Sequence, residues 1–132
     1  MYEDLDLDEL LQKAIANDLP IRIKYWPNKT GERLVGWRYI VALDVFSKDG
    51  EEYLFAWWER GSSVSGSSGY RLFFTRNIQD YEVSQREIFR QSINALKLSD
   101  GAYKVPTRAE VLAQIPNARH YATMMCLRGQ IE

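Results

Sequence analysis

The sequence predicts a mainly β protein with helices at both ends. Its centre is a small five-stranded antiparallel barrel of SH3-like kind, preceded by an N-terminal helix and followed by a helical C-terminal extension. Three observations predict this. Five apolar or alternating segments lie between Pro20 and Val83, separated by short turn-forming stretches. Two aromatic runs, Glu52 to Glu59 and Arg71 to Thr75, flank the Gly/Ser loop Gly61 to Gly69, as in a long-tipped β-hairpin. At Ser84 the hydrophobic period changes from strand to helix. Residues 1–83 are therefore expected to form the barrel with its first helix, and residues 84–132 a helical extension packed on it or on a partner.

The elements follow in order. Leu7, Leu10, Leu11, Ala14 and Ile15 fall at helical spacing, with Asp6 or Asp8 placed to cap the helix, and the helix runs to about Asn17. Ile21, Ile23 and Tyr25 alternate with Arg22 and Lys24, a half-buried strand. Pro27 to Gly31 reads as a turn. A long β segment spans Arg33 to Phe46. Val35, Trp37, Tyr39, Val41, Leu43 and Val45 share one parity, Leu34, Arg38, Ile40, Ala42 and Asp44 share the other, and Gly36 offers a bend. Lys48-Asp49-Gly50 is a tight-turn signal. The third strand is apolar on both faces, which implies burial on both sides. Arg71 to Thr75 and Ile78 to Val83 complete the set, with a kink at Arg76-Asn77. Capping boxes at Ser84–Glu87 and Thr107–Glu110 open two helices. Asn117 can cap a third, and Gly129 can end it.

Composition narrows the function classes. The 132 residues suit one domain, and 45% hydrophobic content suits a packed core. A formal net charge of −1 excludes a basic coat. The charge is unevenly spread: residues 1–18 carry −5 and residues 19–48 carry +4. Cys126 is the single cysteine, so no intramolecular disulfide is expected. No apolar run is long enough to span a membrane, and no signal peptide is apparent, so a cytoplasmic location is expected.

Catalysis finds little support. His120 is the only histidine and has no ligand-spaced Cys, His or acid beside it, so neither catalytic residues nor a metal site nor a cofactor is expected. Cys126 reads as a buried thiol. Glu51 and Glu52 are adjacent on a strand and point to opposite faces. The arginines are more informative. Arg38 shares the parity of Ile40 and Ala42, and Arg71 that of Phe73 and Thr75. An arginine among strand aromatics either lies over a ring or pairs with an acid, or it binds an anion bidentately. Trp37, Tyr53, Trp57, Trp58, Tyr70 and Phe74 serve as core or as stacking platforms.

Together these residues resemble a family pattern. A helix leads into I-x-I-x-Y at Ile21–Tyr25 and an arginine-bearing strand from Arg38. Next come the tripeptide Glu52-Tyr53-Leu54 with Ala56, an R-x-F strand at Arg71-Leu72-Phe73, and Ile78. Residues 8–83 resemble the WYL domain of bacterial transcription regulators. Glu52 stands where that family has Trp, Ala42 where it has proline, and Arg76-Asn77-Ile78 where it has Asp-Arg-Ile. The resemblance implies an SH3- or Sm-like barrel acting as a sensor of nucleic acid or nucleotide-like ligands. Arg38, Tyr53, Arg71, Trp37 and Arg76 would bind the ligand. Family members commonly follow a helix-turn-helix domain; about seven residues precede the first helix here, so none is expected.

The expected function is a non-enzymatic, ligand-sensing regulatory module that binds nucleic acid or a nucleotide. A protein partner or a second copy would dock through the C-terminal helices, a homodimer exposing Ile93, Leu96, Met124 and Met125 to the contact. The alternative is an interaction or assembly module whose groove holds a peptide. Arg38 and Arg71 converging on an open groove favours the first, and their burial against acids favours the second.

Overall fold

The computed structural model describes residues 4–26, 36–61, 69–83 and 106–132. Three expected features lie outside them: the turn at 27–31, most of the Gly/Ser loop (62–68) and the helix opened by Ser84.

Helix α1 (Leu7–Ala16) starts where Asp6 accepts a hydrogen bond from the Glu9 N–H at 2.9 Å. That carboxylate satisfies one of the free donors of the first turn. Five antiparallel strands follow: β1 (Ile21–Tyr25), β2 (Trp37–Lys48), β3 (Glu51–Gly61), β4 (Gly69–Phe74) and β5 (Ile78–Val83). Asp49 and Gly50 join β2 to β3 with φ of +54° and +80°. Two left-handed residues in succession make the tight hairpin turn that matches strand twist, and Gly50 adopts this at no steric cost.

The sheet order is β4-β3-β2-β1-β5. Its two edge strands are consecutive in the chain, joined only by the 3-10 turn Thr75–Asn77 at the predicted kink. Three residues span at most about 10 Å, so the sheet curls until its edges approach. The ladder stays open: no β4–β5 pairing occurs among the described residues. The expected closed ladder is therefore replaced by side-chain bridging. The Tyr25 hydroxyl, on β1, accepts the Phe74 N–H of β4 at 2.8 Å, while the main-chain Trp26 N–H continues the β1–β5 pairing to the Asn77 carbonyl at 2.9 Å.

Both faces of the central strands are buried, as the two apolar parities of β3 predict. On the inner face Ile23, Tyr25, Ile40, Leu54, Trp58 and Phe73 pack with Leu10, Leu11 and Ala14 of α1. On the outer face Val41, Leu43, Phe46, Tyr53, Phe55, Leu72 and Phe74 are covered by α2 (Arg108–Leu112) and α3 (Ala118–Leu127) through Val111 and Ala122. The Thr107–Glu110 capping box forms, and the Asn117 side chain caps α3.

One parity assignment fails. The β2–β3 register shifts between Ala42 and Asp44, leaving Leu43 as an extra residue. A bulge reverses the alternation beyond it. Val45 therefore joins the inner cluster, and Asp44 turns outward to meet Arg119 at 2.6 and 3.1 Å. Gly36 bends the chain just ahead of β2, and the β2–β3 ladder is irregular at two further places, with an extra residue on β3 opposite Tyr39–Ile40 and on β2 at Leu43.

Of the apolar positions expected at a dimer contact, Met125 packs into the outer cluster, while Ile93 and Leu96 lie outside the described residues. Met124 lines an open hollow of about 350 Å³ with Tyr121 and His120.

Candidate functional site: an arginine pair closed by a carboxylate

Arg38 lies on the inner face of β2, where period-two alternation aligns it with Ile40 and Ala42. It is 0% exposed. Its guanidinium carbon sits 5.2 Å from the Tyr25 ring centroid and 5.8 Å from that of Phe73. Nη1 donates to Glu132 Oε1 at 2.8 Å. Nε and Nη2 are buried with no hydrogen-bond partner among the described residues, and the same holds for the indole N–H of fully buried Trp58.

Arg71 approaches the same carboxylate from β4. Its Nε stands 3.9 Å from Glu132 Oε2, its Nη1 donates to the Tyr70 carbonyl at 3.0 Å, and its guanidinium carbon lies 5.3 Å from the Trp58 ring. Burial pulls Arg71 below its ordinary pKa; Glu132 opposes that, and the neighbouring charge of Arg38 adds to it. Gly69 leaves room for this guanidinium. A Cβ there would stand 2.9 Å from Arg71 Nη1, on a backbone with φ of +157°. The carboxylate thus separates two cations that would otherwise face each other in a poorly hydrated cluster.

Glu132 arrives on a segment that touches β4, an edge strand among the described residues. Its N–H donates to the Leu72 carbonyl at 2.9 Å. Ile131 packs into the outer cluster while the Glu132 side chain turns inward to the arginines. Ile131 and Glu132 thus send neighbouring side chains to opposite faces beside a single main-chain bond to β4, without forming a paired strand.

The remaining predicted site residues lie elsewhere. Trp37 is next to Arg38 on β2 and so points to the opposite face, where the Arg22 guanidinium lies 4.1 Å and Lys24 Nζ 4.9 Å from its ring centroid. Tyr53 is buried on the outer face between Phe46 and Phe74. Its hydrogen bond with Cys126, then burial, push its hydroxyl up to about 12. Arg76 is exposed in the 3-10 turn, held by Glu51 at 3.0 Å and lying over Phe74 at 4.4 Å. The aromatic rings around the arginine pair are therefore Tyr25, Trp58 and Phe73, and not Trp37 or Tyr53 as expected. Parity could have found Trp58, which aligns with Leu54 and Ala56. No local signal marks Glu132, which is 94 residues from Arg38 in sequence.

No family model, curated protein or solved structure matches the chain. Among the described residues, no group of three His, Cys, Asp or Glu side chains could hold a metal ion, and no helix is long and apolar enough to cross a membrane.

Proposed function

We propose that the chain is a non-enzymatic protein–protein interaction module whose arginine pair, beside β4 at the edge of the described sheet, seats an extended acidic peptide. One observation carries this reading. Arg38 and Arg71, on different strands, converge on a single carboxylate presented by a segment hydrogen-bonded to that edge. Edge-strand addition supplies a main-chain contact, and side-chain pockets on either side supply selectivity. We read the curled sheet as an SH3-like barrel, supported by its strand order and by the three-residue link between its edges.

A second reading follows the WYL resemblance: a ligand-sensing regulatory module that binds a nucleotide-like anion at the same arginines. The observation favouring it is the set of buried donors without a hydrogen-bond partner among the described residues, Nε and Nη2 of Arg38 and Nε1 of Trp58. A phosphate offers more acceptor oxygens than one carboxylate and would satisfy more of the guanidinium fork.

The test is a display selection of random hexapeptides on the immobilised chain, run beside anisotropy titrations with mononucleotides and short single-stranded DNA and RNA at two salt concentrations. Enrichment of acidic peptides that is lost in Arg71→Ala supports the interaction module. Nucleotide binding lost in Arg71→Ala, with no peptide enrichment, transfers the assignment to the second reading.

A further inference from the structure

We infer that the groove recognises a two-residue signal, an apolar side chain followed by an acidic one on an extended strand, and that Ile131–Glu132 of this chain occupies it as a displaceable internal competitor. The inference rests on the interaction-module reading and adds the peptide class and its regulation.

The signal is short because the edge is short. Of the outward-facing main-chain groups of β4, the Tyr70 carbonyl takes Arg71 Nη1, the Phe74 N–H takes the Tyr25 hydroxyl, and the Leu72 carbonyl takes Glu132. With a carbonyl at Tyr70 and an N–H at Phe74 taken by side chains, Leu72 is the central position of this edge that bonds another main chain among the described residues. Discrimination then falls on two side chains at alternate faces: an apolar one in the outer cluster, where Ile131 sits, and a carboxylate between the arginines.

The resident pair fills this seat incompletely. Glu132 satisfies Arg38 through Nη1 alone and stands 3.9 Å from Arg71 Nε. Two Arg38 nitrogens stay unpartnered among the described residues. A segment held by one main-chain bond, one apolar anchor and one close ion pair can exchange with an equivalent segment in trans. Tethering favours the resident, because a short connection gives an effective concentration on the order of millimolar. A free peptide therefore meets an occluded groove until the internal carboxylate is removed or outcompeted.

The experiment uses a labelled, amidated peptide with the sequence of residues 127–132 and the same peptide ending in glutamine. Each is titrated into the wild-type chain, Glu132→Gln, Ile131→Ser and Glu132→Gln with Arg71→Ala, all shown by circular dichroism to be folded. The glutamate peptide is expected to bind Glu132→Gln roughly tenfold or more tightly than wild type, since the lost charge-assisted contact weakens the competitor by about that factor. Ile131→Ser vacates the other anchor and should also bind more tightly than wild type. The glutamine peptide, and the variant with Arg71→Ala, should lose the gain. Equal binding to the wild type and both vacated variants, or equal binding of the two peptides, would overturn the inference. If acidic peptides from the display selection bind while this peptide binds no variant, the two-residue signal is wrong and the interaction reading stands. If no peptide binds any variant and adenosine monophosphate does, both fall and the nucleotide reading replaces them.

Discussion

Replacing Glu132 by glutamine keeps the size of the side chain and removes its charge, leaving Arg38 buried without a counter-ion. Arg38 is wholly buried, and the Glu132 side chain is 21% exposed. Removing one partner of a buried pair typically costs 3–5 kcal/mol, because the other charge stays desolvated. The partial exposure of Glu132 and the retained amide place the expected loss near the bottom of that range, about 3 kcal/mol. For a domain of this size that lowers the melting temperature by roughly 10 °C. Arg38→Met removes the charge and leaves an apolar chain beside Tyr25 and Phe73. Buried pairs replaced by apolar groups are often neutral or stabilising, so the double variant should recover most of what Glu132→Gln loses. Urea unfolding of the four proteins of this cycle, compared at a common m-value, measures the coupling directly. A coupling above about 1.5 kcal/mol is expected. Effects that add to within about 0.5 kcal/mol would refute the claim that Arg38 depends on Glu132.

Two further outcomes follow from the fold. Burial, the largest cause, pushes the Tyr25 hydroxyl up to about 12 from an ordinary 10.0. The folded state then holds a proton that the unfolded state loses, so stability is intact below pH 10 and falls as pH rises from 10 to 12. The loss is about 3 kcal/mol over that window; Tyr53, pushed up equally, adds to the slope, and Tyr25→Phe should flatten the slope by about half. Alkaline urea titrations of both proteins check this, and an unchanged slope in Tyr25→Phe would contradict it. Thr107→Ala removes the N-terminal cap of α2 and should cost about 1 kcal/mol, read by thermal unfolding; no loss would show that the α2 cap is dispensable.

Much of the frame was legible because it rests on local periodicity. The limits of β1 and β5, the two-sided burial of β3, the Asp49-Gly50 turn and the Thr107 and Asn117 caps all follow from spacing within a few residues. Parity aligned Arg38 with Ile40 and Ala42 and Arg71 with Phe73 and Thr75, but it left open whether the two share a face, because both faces of β4 are apolar. It also opposed Trp37 to Arg38, although the two had been grouped. Beyond Leu43 the parity argument broke down, because a bulge inserts one residue without any change in composition. Glu132 was out of reach for a different reason. It follows a helix by a few residues and meets its partners only after the chain has folded back across β4. A carboxylate that closes two distant arginines leaves no periodic trace.

The central claim is that Glu132 occupies the seat made by Arg38 and Arg71. The most direct measurement is the arginine Nε–Hε region of a nitrogen-15 NMR spectrum, wild type against Glu132→Gln, with Arg22 and Arg76 as internal controls on Glu82 and Glu51. The account predicts that the Arg38 and Arg71 signals move together while both controls stay in place. Signals of Arg38 and Arg71 that remain unchanged in a folded Glu132→Gln would contradict it.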